Sequence, residues 1–160
     1  MSTVTESIDV NASVRTAYDQ WTQFESFPQF MAGVREIRQT DGDVHTHWIV
    51  EIGGQVREFD ATITEQHPDE RVAWNSDPGP NHAGVITFHR LDDSRTRVTA
   101  QMDIDPEGFV ENVADKLGIL THRVKSDMKN FKEFIESRGR ETGAWRGNIE
   151  RPDQLRPDEA

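Results

Sequence analysis

The sequence predicts an α+β domain in which one antiparallel sheet of seven strands, entered through a strand and two short helices, packs against a single long C-terminal helix, in the order β-α-α-β6-α. Three observations predict it. Between Val34 and Asp105 apolar and polar side chains alternate with a period of two, broken by turn residues at fairly regular intervals. From Val110 to Ile135 the apolar positions recur at spacings of three and four instead. The 160 residues suffice for one core, so this sheet and this helix are each other's only broad partners.

The elements follow in order. Residues 3–10 alternate polar and apolar and read as a strand; Asn11 or Ser13 can then cap a helix whose apolar side is Val14, Ala17, Tyr18 and Trp21. Phe24 to Met31 is apolar and aromatic but contains Pro28, which restricts Phe27 and suits the first turn of a second short helix ended by Gly33. Turn residues then stand at Asp41-Gly42-Asp43, Gly53-Gly54, Pro68-Asp69-Glu70, Asp77 to Asn81 and Asp92-Asp93-Ser94. They delimit six strands, 34–40, 44–52, 55–66, 71–76, 83–91 and 95–105, whose short connections require antiparallel neighbours.

Pro106-Glu107 opens the last helix, whose stripe is Val110, Val113, Leu117, Leu120, Val124, Met128, Phe131 and Ile135. At about 1.5 Å per residue it runs for about 40 Å and must lie across the sheet. Gly118, in its middle, is expected to open room there. The domain is expected to span residues 1–138. Residues 139–160 turn polar, with Pro152 and Pro157, and read as a flexible tail in which Trp145 is expected to dock back onto the body.

Composition removes several function classes. The net charge of -11 is spread along the chain, which argues against a nucleic-acid partner and against docking on an anionic membrane. With no cysteine, thiolate chemistry and sulfur-ligated metals are excluded, and the cytoplasm is the expected location. No run of 18 apolar residues or signal-peptide pattern is present, so no stable membrane insertion is expected.

Several titratable residues are candidates for chemistry. His45-x-His47 places two imidazoles on one strand face with Glu51, but parity puts them opposite Trp48, on the outside, so no metal is expected. Glu58 and Asp60 alternate with Phe59 and Ala61 and should face solvent or a neighbouring strand. His89 and His122 fall on outer surfaces, and Arg123, Lys125, Lys129 and Lys132 read as a solvated helix end. No nucleophile elbow or phosphate-binding loop occurs; catalytic residues and cofactors are expected to be none.

The element order, together with Ile8-Asp9-Val10-Asn11-Ala12-Ser13, Phe27-Pro28-Gln29-Phe30-Met31, Gly33-Val34-Arg35-Glu36-Ile37 and Thr96-Arg97-Val98-Thr99, resembles the polyketide cyclase/dehydrase and coenzyme-Q-binding branch of the START-like (SRPBCC) superfamily over about residues 3–138. The resemblance implies a helix-grip fold, with the sheet bent around the C-terminal helix and a cavity between them. Strand parity then points Trp48, Phe59, Ile63, Trp74, Phe88 and Met102 inward, and Phe109, Leu117 and Leu120 face them from the helix. His82 and Tyr18 are expected as polar contacts at the cavity mouth. An aromatic lining suits a small hydrophobic ligand, a lipid or a polyketide- or quinone-like ring, bound without catalysis. The aromatase and cyclase relatives use a Tyr after the second short helix and an Arg inside the sheet; here Ala32-Gly33-Val34 and Ile63 stand in those places. Cyclase chemistry, and a protein partner held by the tail over a vestigial cavity, are the rival expectations.

Overall fold

The computed structural model of the chain describes residues 2–42, 44–52, 54–76, 82–105 and 116–149. Its elements are β1 (Ser2–Val10), α1 (Val14–Trp21), a 3-10 turn (Phe24–Gln29), β2 (Val34–Asp41), β3 (His45–Ile52), β4 (Gln55–His67), β5 (Arg71–Ser76), β6 (His82–Asp92), β7 (Arg95–Ile104) and α2 (Lys116–Arg138). The expected order and all seven strands are present, with ends within a residue or two of the turn signals. Pro106 to Val113, including the expected helix start, lies outside the described residues.

All strand neighbours are antiparallel, in the order β1-β7-β6-β5-β4-β3-β2. The N-terminal strand therefore closes the sheet against the last strand, and α2 runs back across β1 and β7. Ser13 caps α1: its Oγ accepts the Thr16 N–H at 3.2 Å. The second short helix forms as a 3-10 turn with Pro28 inside it. Gly33 serves a close approach, since a Cβ there would meet Arg123 Cδ and the Glu51 carbonyl at 3.3 Å.

The concave face and α2 share one apolar core. Trp21, Phe27, Phe30 and Phe131 pack ring on ring with centroids 5.1–5.6 Å apart, and Trp48 stacks on Phe59 at 5.6 Å. Gly84 lets the Trp74 indole cross β6, because a Cβ there would fall 2.4 Å from the ring. A bulge in β4 between Ile63 and Glu65 shifts the phase, so that Gln66, and not Glu65, continues the inward row opposite Val72. Beyond α2, residues 139–149 lie along the body, and Ile149 exchanges two backbone hydrogen bonds with Gln66, at 2.9 and 2.8 Å. Among the described residues no helix is long and apolar enough to cross a membrane.

Candidate functional site

A cavity lies where α2 crosses the concave face. The helix supplies Leu120, Arg123, Val124, Asp127 and Met128; the sheet supplies Val50, Trp74, His82, Ile86, Ala100, Met102 and Ile104. Trp21 and the segment from Met31 to Val34 close the remaining side. Only about 30 Å³ is open to the centres of water molecules, within a lined space of about 540 Å³ that includes its outlet to solvent. That enclosed room holds a water or two. Three of the chain's four methionines, Met31, Met102 and Met128, line it, and Met side chains repack easily.

The polar groups in this wall are few: Asp127 and His82 are buried, and Arg123 is half-buried. Asp127 is 6% exposed; its Oδ1 accepts the Ala32 N–H at 3.3 Å and stands 3.8 Å from Arg123 Nη1. Burial outweighs those partners and pushes its carboxyl up to about 7. His82 is 3% exposed, stacked on Phe59 at 5.2 Å and on Trp74 at 6.3 Å, and its Nδ1 accepts the Trp74 Nε1 proton at 3.3 Å. Burial pulls its imidazolium down to about 4, so the ring is neutral at pH 7. The Trp21 indole Nε1 is buried and has no hydrogen-bond partner among the described residues.

The residues expected from parity divide into groups. Trp74, Met102 and Leu120 stand in the cavity wall. Trp48, Phe59, Ile63 and Phe88 are buried in the layer around it: Trp48 donates to Thr46 Oγ1 at 2.8 Å, and Phe88 meets Tyr18 edge-on at 5.5 Å. Leu117 does not face the cavity. It is 50% exposed and, with Gly118, borders a shallow groove on the outside of α2; periodicity assigns a face but not how far the covering wall extends. Phe109 lies outside the described residues.

The two polar contacts expected at the mouth are placed elsewhere. The register of β6 sets His82 opposite Ile104, inside the wall. Tyr18 is fully buried, because the segment after α2 covers α1: Arg146 lies 5.5 Å over its ring, and the Gln66 amide donates to its hydroxyl at 3.4 Å. Trp145 docks there too, its backbone N–H donating to Thr22 Oγ1 at 3.0 Å. On the outer face His47 is held by Asp60 at 2.8 Å and Glu58 at 3.1 Å, which accounts for all three as a cross-strand ion cluster.

The sequence did not mark Met31 or Asp127 as cavity residues; Trp21 read as the apolar side of α1, Met128 as part of the stripe on α2 and Arg123 as a solvated helix end, whereas the structure sets all five in the cavity wall. For Asp127 a signal existed, since a carboxylate between Val124 and Met128 sits in the middle of an apolar stripe.

Comparison with known proteins is consistent with this geometry. Residues 10–133 match the family described as polyketide cyclase / dehydrase and lipid transport. An uncharacterised 17.2 kDa protein of Streptomyces lincolnensis is 56% identical over 150 residues, covering 93% of this chain and 99% of that one. Among solved structures, the Zhui aromatase/cyclase from Streptomyces sp. R1128 superposes with a TM-score of 0.70 at 14% identity, over 90% of this chain and 99% of that one. A START superfamily protein from Mycobacterium smegmatis gives 0.64 at 14% identity, over 85% and 95%. At such identities the structural likeness speaks for the fold.

Proposed function

The chain belongs to the polyketide cyclase/dehydrase and lipid-transport family, and from that premise we propose that it binds one small hydrophobic molecule between α2 and the concave face of the sheet. The observation that carries this reading is the nearly closed, methionine- and tryptophan-lined cavity. A typical ligand site occupies some 300 to 1,000 Å³, roughly, so the Met side chains must yield before the guest enters. Affinity is then lowered by the small population of the open form.

Native mass spectrometry of the purified protein, followed by organic extraction, tests this. One apolar molecule per chain is expected, or uptake of one naphthalene-sized probe. A chain that retains nothing and takes up no probe overturns the reading.

A second reading is favoured by Asp127. A buried carboxyl with its pKa raised to about 7 can both give and take a proton at neutral pH. With neutral His82 in the same wall, it fits acid–base assistance to the loss of water from a bound hydroxyketone. Turnover to a product lighter by one water, lost in Asp127→Asn with ligand affinity kept, separates this reading from simple binding.

A further inference from the structure

We propose that the molecule taken by this cavity carries a hydrogen-bond-accepting oxygen, a carbonyl on an otherwise apolar body, and that the indole N–H of Trp21 receives it. The inference rests on the binding reading above and names the class of guest.

Three indoles are buried around this core. Trp48 donates to Thr46 Oγ1 at 2.8 Å and Trp74 to His82 Nδ1 at 3.3 Å. The fold thus provides an acceptor for two of them. Trp21 is the third, 1% exposed and in the cavity wall, and its Nε1 has no partner among the described residues. Its ring neighbours are Phe27, Phe30 and Phe131, at 5.1, 5.2 and 5.2 Å, which offer π faces and no oxygen lone pair. A donor withdrawn from water without an acceptor bears its full desolvation cost, and such groups are rare in folded proteins.

The rest of the polar lining points the same way. Arg123 can only donate. Asp127, with its Oδ1 already taking the Ala32 N–H, becomes a donor too when protonated. Acceptor capacity in the wall is partly spent, since His82 Nδ1 takes the Trp74 proton. Donor sites are therefore offered to the guest, and a carbonyl oxygen, with two lone pairs and no proton, complements them. A plain hydrocarbon of the same shape supplies no acceptor and leaves the Trp21 N–H unsatisfied.

The test uses a matched pair, 2-acetylnaphthalene and 2-isopropenylnaphthalene, which differ by C=O against C=CH₂. Titration calorimetry on the full chain is expected to show the ketone binding about tenfold more tightly. In Trp21→Phe the ratio is expected to fall to about one while the hydrocarbon keeps its affinity. In the wild-type ¹H–¹⁵N spectrum the Trp21 indole resonance should move downfield with the ketone and not with the olefin, a readout that stands even if the variant does not fold. Equal binding of both probes with an unmoved indole resonance overturns this inference and leaves the binding reading intact. Binding of neither probe overturns both.

Discussion

The two ends of the core treat their polar groups differently. Over α1, the segment after α2 meets its partners closely: Arg146 bridges Asp19 at 2.5 Å and Asp69 at 2.9 Å, Gln20 and Thr142 exchange hydrogen bonds at 3.1 and 2.9 Å, and Ile149 adds a rung beside β4. Under α2, among the described residues, Asp127 has one 3.3 Å hydrogen bond and a guanidinium at 3.8 Å, and Trp21 Nε1 has no partner. Satisfied groups fix architecture. Groups left short of partners forgo stability; Asp127 and Trp21 stand in a cavity wall where a guest can complete them, whereas Glu141 Oε2, in the segment after α2, is buried without a partner among the described residues and outside that wall.

The sharpest way to break this comparison is to remove Arg140 to Ala160. Asp19 is 3% exposed, and burial already raises its carboxyl pKa. Without Arg146, its remaining ion-pair partner among the described residues is Arg15, at 3.9 Å. Stability in urea should fall by about 4 kcal/mol, as expected when one member of a buried pair is deleted. A loss under about 1 kcal/mol would fit an exposed pair and would make the clasp ornamental.

A somewhat smaller effect separates the two titrating groups of the cavity. Asp127 rises from 3.8 to about 7 on folding, so its contribution to stability is full below its unfolded value and is lost as pH climbs through about 7. His82 falls from 6.5 to about 4, so its contribution is full above 6.5 and is lost as pH drops through about 4. Between those values the folded chain holds one extra proton on Asp127 and lacks one on His82, and the two slopes cancel. In Asp127→Asn only the His82 slope remains. The variant should lose about 3 kcal/mol more than wild type between pH 6.5 and 4, and be the more stable of the two above pH 7. Parallel stability curves from denaturant melts would mean that Asp127 titrates as a solvated carboxylate.

Much of this was legible in the sequence, for reasons that also mark where legibility stops. Strand parity survives from Trp48 through Met102 because turn residues reset the count at each hairpin. It fails at Thr64, where one extra residue turns Gln66 inward and nothing in the local composition announces a bulge. The stripe on α2 shows its face but not its cover, hence Leu117. The Arg146 clasp joins Asp19, Asp69 and Arg146, three positions remote along the chain, and no spacing rule brings them together. Asp127 was readable as an intruder in an apolar stripe; Trp21 was readable only as core, because a missing acceptor is visible solely in three dimensions.

The smallest effect concerns how the cavity opens. Met128→Leu nearly conserves volume, so stability should change by less than about 1 kcal/mol. Leucine, though, is branched and has one fewer side-chain torsion, so it yields less readily than the unbranched thioether. If the enclosed room of about 30 Å³ grows by swinging Met31, Met102 and Met128 aside, the variant's open form is rarer, and uptake of 2-acetylnaphthalene should weaken by roughly threefold, mostly through slower association. An unchanged affinity and association rate would locate the opening elsewhere, at the Ala32–Asp127 contact that ties the Met31–Val34 segment to α2. In that case Asp127→Asn, and not Met128→Leu, should change the association rate, because it alters the hydrogen bond that holds this segment closed. The two variants together thus tell a cavity that yields through soft side chains from one that opens through a hinged segment.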